Sequence, residues 1–199
     1  MTIVELSDRI EIEMAESDEL SLDGMFEMLE RMPTPEGFKV EIVGGVIYMS
    51  PQRDLHWELI KAVFKQLTQS FGWDAQIKLD VRLDLPGYLN GFAPDLFKLA
   101  DGVKKDERGH WHHEDVEFVL EVISRGTGDN DYGKKKRAYA EGGIPVYVIV
   151  DPYSGKVHAY GRPEGDCYQH TLTVKFGEEI DLGPFGFDLT LVTEDFPRD

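Results

Sequence analysis

Val116-Glu117-Phe118-Val119-Leu120-Glu121-Val122-Ile123 is an almost unbroken apolar, β-branched run. A run of this length and composition reads as a strand covered on both faces. Ser124-Arg125-Gly126-Thr127-Gly128 follows as a turn, and a polar helix is predicted from about Asp131 to Glu141, closed by Gly142-Gly143. A second apolar run, Ile144 to Val150, comes next. Two buried strands joined by one helix predict a parallel pair with a right-handed crossover. The expected class is therefore α/β, a mixed β-sheet flanked by helices.

The reading extends outward from that unit. Ala75 to Asp84 alternates, with Ile77, Leu79, Val81 and Leu83 on one face, and predicts a half-wet strand. Pro86-Gly87 turns the chain, Pro94 to Ala100 reads as a short strand, and 101–115 as a polar loop. Phe38 to Met49 reads as a hairpin around Gly44-Gly45. Ser21 is placed to cap a helix over 22–31 that Pro33 and Pro35 end. Asp54 is placed to cap a helix from Leu55 to Ser70 with an apolar stripe of Leu59, Ile60, Val63, Phe64 and Leu67. Residues 156–193 alternate in short pieces and predict antiparallel β at the C-terminal end. Residues 1–20 show no clear period and read as an acidic N-terminal arm, leaving 21–199 as one domain.

Composition narrows the function classes. With 41% hydrophobic and 30% charged residues among 199, the chain is neither disordered nor fibrous. No apolar run approaches the ~20 residues of a membrane helix. An acidic start without an apolar leader and a single cysteine, Cys167, lead to a cytoplasmic expectation. The net charge of −17 argues against nonspecific binding to a polyanion. The acid is uneven: residues 1–30 hold ten carboxylates against Arg9 alone. Such an end either keeps the protein soluble or competes with an anionic partner for a basic site.

A carboxylate inside a buried strand needs a partner, because an unpaired buried charge costs several kcal/mol. Glu121 either meets a cation or a proton, or sits where its strand reaches water. Asp95 follows Pro94 at the start of a short strand. Side by side, two such carboxylates with the Val122 carbonyl offer oxygen ligands suited to Mg²⁺ or Mn²⁺. Asp131, Lys135 and Tyr139 recur every fourth residue and share one helix face. They form either a surface ion pair or a lysine reaching toward Glu121. Lys134-Lys135-Lys136-Arg137 is a basic run, and His110-Trp111-His112-His113 lacks zinc-ligand spacing. Glu41 lies opposite Val40 and Ile42 on its strand, and His56 lies at the end of a helix stripe.

Pro94-Asp95, Glu121-Val122-Ile123-Ser124 with Thr127, then Asp131, Lys135, Tyr139, Gly143-Ile144-Pro145, Tyr147 and Val150-Asp151-Pro152 together resemble the Uma2 family. These are endonucleases of the PD-(D/E)XK, restriction-endonuclease-like superfamily. Val40 to Ile47, Met49-Ser50-Pro51 and His56 extend the resemblance upstream, over roughly residues 22–195. It implies a restriction-endonuclease-like fold and a Mg²⁺- or Mn²⁺-dependent endonuclease acting on nucleic acid, DNA in the first place, with a homodimer and no membrane partner expected. The superfamily lysine would stand at 123, where this chain has Ile123, and the resemblance assigns it to Lys135. It also implies Asp95, Glu121 and the Val122 carbonyl as metal ligands, and Glu41 and His56 as auxiliary site residues. A non-catalytic scaffold on this fold and a hydrolase of small phosphate esters are the alternatives.

Overall fold

In the computed structural model, which describes residues 2–6, 9–13, 21–32 and 37–198, the run 116–122 is a central strand buried on both faces. Phe118, Leu120 and Val122 pack against the apolar stripe Leu59, Ile60, Val63 and Leu67 of a long helix. Val119 and Ile123 face the other way, among Phe92, Tyr139 and Tyr147. Glu121 belongs to that second row.

The strands are β1 (Thr2–Leu6), β2 (Arg9–Glu13), β3 (Phe38–Val43), β4 (Val46–Pro51), β5 (Ile77–Lys78), β6 (Leu83–Leu85), β7 (Asn90–Phe92) and β8 (Leu96–Leu99), then β9 (Trp111–His112), β10 (Val116–Val122), β11 (Val146–Asp151), β12 (Lys156–Glu164), β13 (Cys167–Lys175), β14 (Glu179–Asp181) and β15 (Thr190–Val192). The helices are α1 (Leu22–Arg31), α2 (Asp54–Phe71) and α3, residues 128–141. One sheet runs β1-β2-β4-β3-β7-β6-β9, a second β13-β12-β11-β10-β8-β5, and β14-β15 form a small pair. β10 and β11 are parallel, from Phe118 opposite Val146 to Val122 opposite Val150. The tail is antiparallel. This is the expected mixed α/β class, built on two larger sheets rather than one.

Three apolar layers hold it together. α1 buries Met25 and Leu29 on the outer face of the first sheet, and α2 covers the second. Between the sheets, Leu83, Leu85 and Phe92 meet Phe97, Val119 and Ile149, with α3 contributing Ala138 and Tyr139. The Ser21 side chain caps α1 by accepting from Gly24 N–H.

Several expectations need correction. Asp54 is the first residue of α2, and the cap is Arg53, which makes no side-chain capping bond. The alternating stretch 75–84 is two strands in different sheets, because the chain breaks at Asp80. Asp80 has φ +50°, a left-handed conformation that Asp tolerates, and its N–H donates to Pro94 C=O. The loop 101–115 holds β9, which pairs with Leu83 and Asp84, and a 3₁₀ turn over His113–Asp115. α3 starts at Gly128, and its Asp131–Lys135 segment is π-helical. The N-terminal segments are strands rather than a loose arm: β1 pairs β2, and β2 pairs β4. Ile10 and Ile12 alternate with acids in β2, and Ile12 is buried beside Met25 and Ile47. The rest of 1–20 lies outside the described residues.

Candidate active site

Five elements converge on one buried cluster. β3 brings Lys39 and Glu41, two residues apart and so on one strand face. The residue before β8 is Asp95, β10 brings Glu121, and the π-helical start of α3 brings Asp131 and Lys135. His56 enters from the first turn of α2. Asp95, Glu121 and Lys135 are each 1% exposed. The strand-end alternative for Glu121 and the surface-pair alternative for Lys135 are thereby excluded.

Two ammoniums organise the carboxylates. Lys39 Nζ lies 2.6 Å from Asp95 Oδ1, 3.3 Å from Glu121 Oε2 and 3.8 Å from Glu41 Oε1. Lys135 Nζ lies 2.6 Å from Glu121 Oε1 and 3.0 Å from both Asp131 Oδ1 and Glu41 Oε1. Tyr139 donates its hydroxyl to Glu121 Oε1 at 2.6 Å, and Tyr147 donates to Asp131 C=O. Backbone donors complete the set: Val122 N–H to Asp95 Oδ2 at 2.7 Å and Ala93 N–H to Glu41 Oε1 at 3.0 Å. Asp131 and Lys135, four residues apart, both face inward from a π-helical turn, a feature that recurs at functional sites.

The cluster is short of positive charge. Glu41, Asp95, Glu121 and Asp131 face two lysines and one histidine, so with all four carboxylates ionised and His56 protonated one positive charge is lacking, to be supplied by a proton or a cation. Burial pushes the Glu121 carboxyl up to about 7, with Asp95 and Glu41 adding to the effect and Lys135 and Lys39 opposing it. Burial raises Asp131 as well, against Lys135. At Asp95 burial acts upward, but the charges of His56 and Lys39 outweigh it and hold the carboxyl well below its usual range. Burial disfavours the ammonium of Lys135, yet Asp131, Glu121 and Glu41 together keep it protonated.

His56 Nε2 sits 2.9 Å from Asp95 Oδ2, an ion-pair distance, but with no well-formed hydrogen bond although the atom is buried. Its Nδ1 is 3.5 Å from Ser124 Oγ. A cavity of about 10 Å³ lies among these groups and extends to Gln52, Ser124 and Thr127. That is near the lower limit for one water.

All six sequence-derived site residues, Glu41, His56, Asp95, Glu121, Val122 and Lys135, are thus gathered here. Lys39 was missed. Its signal was present, since the period of β3 puts it on the Glu41 face. A second group, Asp23, Asp84 and His110, brings its ligand atoms within 4.8 Å of one another at the surface. Arg82 already engages both carboxylates there, with Nη2 2.6 Å from Asp23 and Nε 2.6 Å from Asp84. Of the other histidines in that loop, His112 faces Asp106 and His113 faces Glu114.

The fold is similar to that in the crystal structure of "a putative nuclease belonging to DUF820 from Anabaena variabilis ATCC 29413", with TM-score 0.59 and 16% identity over 86% of this chain and 95% of that chain. No curated protein matches the sequence. The family model "Uma2: Putative restriction endonuclease" matches residues 26–192, from α1 to β15. That span takes in every residue of the buried cluster, and the chain belongs to the Uma2 family.

Proposed function

We propose that this chain is a Mg²⁺- or Mn²⁺-dependent nuclease that hydrolyses phosphodiester bonds at the buried cluster. The observation that carries the reading is a pair of adjacent carboxylates, Asp95 and Glu121, that converge on one cation and still leave their surroundings short of positive charge. Buried carboxylates arranged this way are the hard oxygen donors a divalent ion takes. His56, with Nε2 2.9 Å from Asp95 Oδ2, stands beside the same carboxylate. Asp95 and Glu121 would hold the ion. Val122 donates its N–H to Asp95, and in an extended strand its C=O points to that same edge. Such an ion, when bound, makes water nucleophilic at neutral pH and neutralises charge on the phosphate.

The chain's own groups do the rest. Lys135 keeps its proton and is aimed by Asp131 and Glu41, so it supplies fixed positive charge where negative charge builds on the phosphate. Tyr139 fixes the Glu121 carboxylate, and His56 flanks that of Asp95. The family's description favours DNA over RNA, and a homodimer would bring one such cluster to each strand of a duplex.

The test is cleavage of duplex DNA, single-stranded DNA and RNA with Mg²⁺ or Mn²⁺, beside Asp95→Asn. Cleavage that needs the metal and falls at least about a hundredfold in the variant is expected, the scale of losing one preorganised charge in an active site. No cleavage of any nucleic acid by the unaltered protein, or an Asp95→Asn rate equal to it, would sink the assignment. Turnover of small phosphate esters alone would redirect it to that class.

A further inference from the structure

Beyond the cluster, α3 has a second side. Lys135 points inward, while Lys134 and Arg137 are exposed and Lys136 is half-buried. These three cations line an open groove of about 720 Å³. The turn over residues 87–90 and the strands β12 and β13 complete its walls. Lys136 Nζ sits 4.8 Å over the ring of the buried Tyr160, whose centroid lies 6.0 Å from that of Tyr168 at a tilt of 39°. Tyr88 is 60% exposed. Its ring is seated on the Gly45 turn, since a Cβ there would come within 2.8 Å of Tyr88 Cε1. Two acids also line the groove, Glu141 and Asp166, and Arg137 lies 3.5 Å from Asp166. Among the described residues, Lys134 and Lys136 make no ion pair.

Cations near an open aromatic ring, here Tyr88, are what a single strand of nucleic acid requires. Its phosphates meet the lysines and its unpaired bases stack on rings, whereas a duplex hides the faces of its bases. In a chain of net charge −17, three cations against two acids give this groove a locally positive lining. The groove and the buried cluster flank the same helix, α3, without sharing a lining residue.

We infer that this groove binds a single-stranded segment of nucleic acid a few nucleotides long, with phosphates on Lys134 and Lys136 and a base on Tyr88. The inference rests on the nuclease reading and adds the surface that holds the substrate. The test is fluorescence anisotropy of short labelled oligonucleotides in EDTA, so that binding is read without cleavage. Single-stranded DNA, single-stranded RNA and duplex DNA are compared for the unaltered chain, Lys134→Glu/Lys136→Glu and Tyr88→Ala. At about 50 mM salt, the double charge reversal should weaken single-strand binding at least about tenfold. It should also flatten the slope of log K against log salt by about 1.4, at roughly 0.7 per phosphate contact on single strands. Tyr88→Ala should cost about fivefold or more, the scale of one lost base stack. Tighter binding of DNA or of RNA would identify the sugar, and either supports the groove. All the changed residues are exposed or partly so, and circular dichroism would verify folding. A folded double variant with unchanged affinity and slope overturns the groove while leaving the nuclease reading intact. Preference for duplex with no effect of Tyr88→Ala overturns the single-strand assignment. No binding of any nucleic acid by the unaltered chain in EDTA overturns the groove, while the nuclease reading stands or falls on the cleavage assay with metal.

Discussion

The chain builds two groups of acidic side chains with basic partners, one inside and one outside, from the same residue types. At the surface, Asp23 and Asp84 share Arg82, whose Nε and Nη2 reach Asp84 at 2.6 and 2.7 Å, and His110 stands nearby. That arrangement is satisfied as it stands: Arg82 spans both carboxylates and the Asp23 side chain remains half exposed to water. Inside, four carboxylates compete for Lys39, Lys135 and His56 with little access to water. Geometry alone would rank the surface triad as the better metal candidate. Burial reverses the ranking, because an interior deficit of charge is costly and a cation that fills it gains correspondingly more.

The largest expected contrast is in stability. Lys135→Met removes the ammonium that Glu121, Asp131 and Glu41 share, leaving buried carboxylates uncompensated. A loss of about 3–5 kcal/mol is expected in urea unfolding. Arg82→Met, which breaks two short but surface-exposed pairs, should cost no more than about 1 kcal/mol. Equal losses would erase the distinction between the two groups.

Next in size is metal affinity. Lys39 Nζ lies on the two oxygens that would also take a divalent ion. A unit charge about 4 Å away is worth roughly 4 kcal/mol at an effective dielectric of 20. Lys39→Met should therefore raise Mn²⁺ affinity by at least about tenfold in titration calorimetry, while lowering the melting temperature in EDTA. Asp23→Asn should leave Mn²⁺ affinity unchanged. If Asp23→Asn abolishes Mn²⁺ binding and Lys39→Met does not alter it, the metal belongs at the surface.

How far the sequence carried these distinctions depends on the range of the signal. The 116–150 unit was legible because its two apolar runs are local and lie around one polar helix, and the parallel pairing follows. Glu121 announced itself by polarity in an apolar run, and Asp131, Lys135 and Tyr139 by spacing. The break at Asp80 was hidden: Ile77, Leu79, Val81 and Leu83 keep their alternation while the chain passes from one sheet to the other. Division into two sheets depends on pairings between distant residues, such as Ile42 with Gly91, that no local period encodes. β2 was concealed by its acids, although Ile10 and Ile12 keep strand period. Lys39 was overlooked because a lysine beside a glutamate on a strand looks solvated until the element covering it is known.

The smallest expected effect is the pH response of the surface group. The Arg82 hydrogen bond, helped by its charge and those of His110 and Arg108, lowers the Asp23 carboxyl from its ordinary 3.8 despite slight burial. A folded-state value below the unfolded one means that the pair adds stability above about pH 3.8 and loses it as pH falls through the lowered value. The side chain is half exposed, so screening limits the contribution to a few tenths of a kcal/mol. Urea midpoints of the unaltered chain and Asp23→Asn should therefore differ slightly at pH 6 and converge as the pH is brought below 3. Salt at 1 M, where the screening length is about 3 Å, should also narrow the gap. A gap above about 1 kcal/mol that survives both acid and salt would mean that the surface group behaves like the interior one.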